Sequence, residues 1–221
     1  MRQTILRLFG KPIRRSVRWY LSKPRDFKFH DIRISVRPGV FHPGFFFSTR
    51  FILHFLGSQK IKGKRLLDLG CGSGVISIFS QRRGAIVTAV DVNPEAVQNT
   101  LENSMRNNTE VSAFVSDLFD SIPPTLFDWI VVNPPYYPVD AKTDEEKAWN
   151  CGQNHEYFER FFAQLAGYIS SESKVLMILS DVCDLERIFD IASSKNFRFE
   201  KISEKSVWAD GKNYLYFIKP N

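Results

Sequence analysis

From Lys64 onward, short apolar runs alternate with amphipathic stretches in a regular order. Residues 65–69 read as a buried strand, 70–74 as a glycine-rich turn and 75–83 as a helix. Residues 85–90 give a second strand that ends at Asp91. The pattern over 94–107 predicts a helix with Asn93 as its N-cap and Pro94 at its first position. A third strand, 111–115, ends near Asp117, and a fourth, 129–132, ends at Asn133. A helix over 156–169, a strand over 175–179 and a helix over 185–193 follow. Two closing strands, 197–207 and 214–218, flank a turn at Asp210-Gly211. Strands alternating with helices imply an α/β fold with a mostly parallel sheet covered on both faces, and the closing pair adds an antiparallel edge.

The first part of the chain reads differently. Residues 1–23 carry Ile5, Leu8, Phe9, Ile13 and Val17 at helical spacing with arginines between them, so one or two basic amphipathic helices are expected. Over residues 27–41, Phe27, Phe29, Ile32, Ile34 and Val36 alternate as in a short strand or hairpin, and Pro38-Gly39 marks a turn. Val40-Phe41-His42-Pro43 then leads to an apolar helix over 51–56, with Ser48 or Thr49 as the expected N-cap.

Charge sharpens this division. Residues 1–40 hold eleven Lys/Arg against two acids, a net of +9, whereas the other 181 residues hold nineteen against twenty-two, a net of −3. The formal charge of +6 therefore resides in a basic N-terminal extension, residues 1–39, ahead of one domain, residues 40–221. Such a segment suits RNA, a ribosome or an anionic membrane face, or else it is a solvated helix face. Cys71, Cys151 and Cys183 are widely spaced, and His30, His42, His54 and His155 show no metal-ligand spacing, so neither a disulfide framework nor a metal site is expected. Arginines interrupt every apolar run near the N-terminus, and no run is long enough to span a membrane. The expected location is the cytoplasm.

Two constellations carry chemistry. The first is Asp68-Leu69-Gly70-Cys71-Gly72-Ser73-Gly74, between a strand and a helix, with Asp91 seventeen residues after Gly74. Glycines let a ligand approach the backbone, and ligands of open α/β sheets sit beyond the carboxyl ends of the strands. The spacing is not that of a dinucleotide fold, because Val75 stands where its third glycine belongs. Nor is it a P-loop, because no lysine follows Gly74. A carboxylate at Asp68 is poorly placed beside a pyrophosphate and suits a cationic amino group, as S-adenosylmethionine has. Asp91 is placed to accept from ribose hydroxyls, and Asp117 to accept from an adenine amine with Leu118 packing on the ring. Cys71 and Asn93 fall within the same cradle.

The second is Asn133-Pro134-Pro135-Tyr136, at the end of an apolar strand. Two prolines cannot continue a ladder and hold the loop stiff. The Asn133 amide oxygen and the Pro134 carbonyl can accept both hydrogens of a planar NH2. Its nitrogen, whose lone pair is otherwise delocalised, can then pyramidalise towards a methyl group. Tyr136 can stack on the flat acceptor. Residues 144–146 and 149–155 read as a flexible lid beside this loop, with Trp149 either lining the acceptor pocket or packing beneath the lid.

On these motifs, residues 40–220 resemble a class I S-adenosylmethionine-dependent methyltransferase of the Asn-Pro-Pro-Tyr group. That group includes adenine-amine DNA and RNA methyltransferases and the glutamine methyltransferases of translation termination factors. The resemblance implies a Rossmann-like, doubly wound, seven-stranded sheet of order 3-2-1-4-5-7-6 with the last strand antiparallel. It implies Asp68, Gly70, Gly72 and Gly74 at the methionine end of the donor, Asp91 at the ribose, Asp117 and Leu118 at the adenine, and Asn133 to Tyr136 at the transfer. Val40-Phe41-His42-Pro43 is similar to the segment that lines the donor site in small-domain members. The chain departs from the group in its short basic N-terminus, where release-factor enzymes carry a larger helical bundle, and it shows no DNA target-recognition domain. The sequence therefore puts an adenine amine in RNA first. A protein glutamine or a small molecule stands second, and a catalytically silent binding subunit third.

Overall fold

A computed structural model describes residues 22–44, 47–207 and 211–221. The basic helices expected over residues 1–23 and the turn at Asp210 lie almost wholly or wholly outside the described residues.

Seven strands form the central sheet. In chain order they are β3 (Arg65–Leu69), β4 (Ile86–Asp91), β5 (Ser112–Val115), β6 (Trp129–Val132), β7 (Lys174–Ser180), β8 (Phe197–Val207) and β9 (Gly211–Pro220). Across the sheet they run β5-β4-β3-β6-β7-β9-β8, which is the order 3-2-1-4-5-7-6. Neighbours from β5 to β7 pair in parallel, and β9 runs antiparallel to both β7 and β8. The helices are α1 (Phe47–Gly57), α2 (Val75–Arg82), α3 (Pro94–Arg106), the single turn α4 (Asp144–Lys147), α5 (Glu156–Leu165) and α6 (Leu185–Ser194). The order reverses between β3 and β6, so the crevice above their carboxyl ends is where such a sheet takes a ligand. Buried residues gather into two clusters. One includes Ile52, Leu66 and Val131, and the other Leu67, Ile130 and Phe158. Leu66 and Leu67 are successive residues of β3, which fits a strand buried on both faces.

Ahead of the sheet, β1 (Arg25–Phe29) and β2 (Ile32–Val36) form an antiparallel hairpin. Its apolar residues Phe27, Phe29, Ile32, Ile34 and Val36 all lie in the first core cluster, so this part of the basic segment packs on the domain. Among the described residues, the outer edge of β2 has no strand partner. Asn99 and Asn103 of α3 and Asn107 at its C-cap take its place. Asn107 accepts from Arg33 N at 3.1 Å and donates to Arg33 O at 2.8 Å. Asn103 accepts from Ser35 N at 2.9 Å, and Asn99 accepts from Arg37 N at 3.1 Å. Both also donate to Ser35 O. Side chains four apart on a helix repeat every ~6 Å. Backbone groups on one strand edge repeat every two residues, about 6.6 Å, so the two ladders nearly match. This satisfies the edge and carries the chain through Gly39 to the mouth of the crevice.

One helix start is corrected. The sequence places Ser48 or Thr49 as a cap before residue 51, but α1 already runs from Phe47. Both side chains fall inside its first turn and line the crevice. Among the described residues, no helix is long and apolar enough to cross a membrane.

Candidate active site

The glycine turn is built around Val90 and Asp91. Gly70 N and Cys71 N both donate to Val90 O, at 2.8 and 2.9 Å, tying the end of β3 to the end of β4. Gly72 takes a φ of 53°, and a Cβ built there comes no nearer to another atom than 4.0 Å, at Phe41 Cβ. Its face is open to the crevice. Gly74 has a different reason to be glycine: a Cβ there would meet Thr100 of α3 at 2.8 Å. Thr100 in turn donates to Gly72 O at 3.0 Å, so α3 braces the turn from behind.

Asp91 spends both carboxylate oxygens on this turn, one on Gly72 N and one on Asn93 N, each at 2.9 Å. Burial raises its pKa, and the backbone amides oppose the rise. Asn93 caps α3, accepting from Glu95 N at 3.0 Å, and also lines the crevice. Asp68 is placed differently from the sequence expectation. It is 2% exposed and lies behind the crevice wall, where it accepts from the Ser77 hydroxyl at 2.5 Å. Burial pushes its carboxyl up to about 7, with the Ser77 bond opposing and the Asp91 charge adding to the shift. The alternation of β3 explains this: Leu69 lines the crevice and its neighbour Asp68 does not.

At the third strand end, Ser116 N donates to Asp91 O at 3.0 Å and the Ser116 hydroxyl to Leu118 O at 2.8 Å. This turn holds Leu118 at a φ of 54°, and both Asp117 and Leu118 line the crevice. Asp117 also binds Arg160 of α5 at 2.9 Å, a partner that sequence reasoning missed. Arg160 bonds Asp120 as well, at 2.9 Å.

The transfer loop opens from the opposite side of the same crevice. Asn133, Pro134, Pro135 and Tyr136 all line it. Asn133 Nδ2 donates to Ser48 Oγ at 3.4 Å, and its amide oxygen has no partner among the described residues. The following segment is fixed by residues 149–152. Tyr136 N and Tyr137 N both donate to Trp149 O, at 3.1 and 2.9 Å, and Cys151 N donates to Tyr137 O at 2.9 Å. The flexible lid expected over 144–146 and 149–155 is instead a hydrogen-bonded strap, with Thr143 capping α4. Trp149 lines the crevice, and its ring packs on Phe41 with centroids 5.0 Å apart. Tyr157, unremarked in the sequence, lines it too. Burial, with the Asp91 and Asp117 charges, raises its phenol.

Cradle and transfer loop share a single cavity of about 520 Å³. The family model for the methyltransferase small domain matches residues 31–181. The chain belongs to this family. With it, the chain is a class I methyltransferase that uses S-adenosylmethionine. One relative is a Methanocaldococcus jannaschii protein carried under the provisional name protein N5-glutamine methyltransferase. It is 31% identical over 175 residues, covering 76% of this chain and 86% of the relative. A ribosomal protein L11 methyltransferase of Thermosipho melanesiensis is 36% identical over 127 residues, covering 51% of this chain and 49% of that protein. Among solved structures, a T. thermophilus 16S rRNA N2 methyltransferase in complex with AdoMet and guanosine superposes with a TM-score of 0.63 at 19% identity, over 90% of this chain and 50% of that one. The E. cuniculi complex that methylates a translation termination factor gives 0.63 at 18% identity, over 83% of this chain and 99% of that one. At these identities the likeness to solved structures shows the fold.

The small-domain family's donor fits the residues present. The open face at Gly72 admits a ligand to the backbone, the half-buried Asp91 offers an acceptor beside it, and the volume falls in the ~300–1,000 Å³ range of small-molecule sites. Among the described residues, no group of three or more His, Cys, Asp or Glu is placed to hold a metal ion.

Proposed function

We propose that this N-methyltransferase acts on a planar NH2 nitrogen held by Asn133 and Pro134. The bound donor supplies an electrophilic methyl group on a sulfonium. The rest is the work of the chain. The cradle of Gly70, Cys71 and Gly72, with Asp91 and Asn93, takes the methionine and ribose portions, Gly74 shapes the turn from behind, and Asp117 and Leu118 take the adenine. The Asn133 amide oxygen and the Pro134 carbonyl accept the two N–H groups of the acceptor. Held this way, the nitrogen directs its lone pair at the methyl carbon; the N–C bond forms as the sulfonium S–C bond breaks to leave the thioether S-adenosylhomocysteine, and the methylated nitrogen releases one proton to solvent. Tyr136 stacks on the flat group. The observation that carries this reading is that Asn133 lies on the wall of the same cavity as the cradle with its amide oxygen unpartnered among the described residues.

Among acceptors, a glutamine carboxamide of a protein is favoured over the adenine amine in RNA that the sequence puts first. Release-factor glutamine methyltransferases carry a larger helical bundle where this chain shows a short basic segment. The Methanocaldococcus relative is matched over 86% of its length, which leaves little room for a bundle there either. The adenine reading keeps one support, the net +9 of residues 1–40, which suits a polyanion. Methyl-labelled donor, incubated with the enzyme and separated protein and RNA fractions, tests the choice. Label in protein that acid hydrolysis releases as methylamine is the expected result. Label in RNA adenine restores the other reading. Donor binding without transfer into any fraction would leave a silent binding subunit.

A further inference from the structure

The transfer loop has an anchoring problem. Pro134 and Pro135 have no N–H, so after Asn133 the first backbone amide able to hold the loop is that of Tyr136. That amide and the next both converge on Trp149 O. Where the loop ends is therefore set by where Trp149 sits. Its indole packs on Phe41 at 5.0 Å between centroids, and Phe41 is the residue nearest the open face of Gly72. The strap touches the same entry segment a second time, since the Glu145 carboxylate lies against Gly39.

We infer that the Phe41–Trp149 ring pair couples the two ends of the cavity: a donor seated at the cradle steadies Phe41, and through Trp149 it fixes the loop that receives the acceptor. Both are positioning residues. Donor binding then precedes and strengthens acceptor binding, because each ligand stabilises the same arrangement of the strap. The inference rests on the donor occupying this cavity.

The test follows hydrogen exchange at the Tyr136 and Tyr137 amides with and without S-adenosylhomocysteine, with calorimetry to establish binding. In the wild type, saturating ligand should slow exchange at these two amides roughly tenfold, within the usual range of coupling between sites. Trp149→Ala should still bind S-adenosylhomocysteine but lose the slowing, and Trp149→Phe, which keeps a ring against Phe41, should retain it. Phe41→Ala, which leaves the strap sequence intact, should lose it as well and serves if Trp149→Ala does not fold. Binding without slowing in the wild type, or full slowing in folded Trp149→Ala or Phe41→Ala, overturns the coupling. No binding at all overturns the assignment of the cavity and this inference with it.

Discussion

The two ends of the cavity are held by opposite means. At the donor end most supports lie within the turns after three successive strands: Val90 O holds Gly70 and Cys71, Asp91 holds Gly72 and Asn93, and Ser116 holds Leu118, with Thr100 and Arg160 bracing these turns from the helices behind. At the acceptor end the supports come from afar. Ser48 reaches Asn133 from eighty-five residues earlier, and Trp149 holds the loop from a strap that is itself pinned at Phe41. The donor end is a product of backbone geometry and the acceptor end of side-chain packing. Damage to the first should therefore appear as lost stability or lost donor binding, and damage to the second as lost turnover.

The largest expected effect lies beneath the cradle. Asp68 has a folded pKa of about 7, above its unfolded value of about 3.9, so the folded state holds the proton more tightly. Its contribution is fully present below pH ~4 and is lost as pH rises through 7, a change on the order of 4 kcal/mol. Denaturant titrations across this range should show stability falling with pH, and Asp68→Asn should flatten the slope. A slope unchanged in Asp68→Asn would show that the buried carboxyl does not titrate there. Next comes Gly74→Ala. The residue sits at a φ of 81° and a Cβ would press on Thr100 at 2.8 Å, so the variant should lose about 2–4 kcal/mol, strain and overpacking together. Gly72→Ala, with open space before it, should cost less stability and instead obstruct the donor. Equal losses from the two would contradict the distinction. Smaller still, Asp91→Ala frees two backbone amides of the turn and should weaken donor binding by about 1–3 kcal/mol in calorimetry. Tight NAD binding with no response to the methyl donor would refute the cradle's assignment.

Legibility followed the same division. The glycine turn, the strand ends at Asp91 and Asn133 and the Asn93 cap could all be read from local pattern, because each depends on residues a few positions apart, whereas the sheet order came from the family resemblance. The rest depends on which way a side chain faces or on residues far apart in the chain. Asp68 reads as a ligand group because it adjoins the glycines, yet strand alternation turns it behind the wall onto Ser77. Ser48 reads as a helix cap, and nothing near it in sequence points to Asn133. The Arg160 bond to Asp117 spans forty-three residues and has no local signal. One non-local feature did leave a trace. Asn99, Asn103 and Asn107 recur at a spacing of four, and buried asparagines on one helix face imply a row of backbone partners.

The division of labour is tested most directly at Asn133. Donor affinity by calorimetry with S-adenosylhomocysteine and single-turnover methyl transfer should be measured together on Asn133→Ala. Affinity is expected to stay near wild type while the transfer rate falls by roughly 10²–10³, the scale for losing one preorganised hydrogen-bonding group at a reacting centre. An Asn133→Ala enzyme that transfers methyl at the wild-type rate would contradict the account.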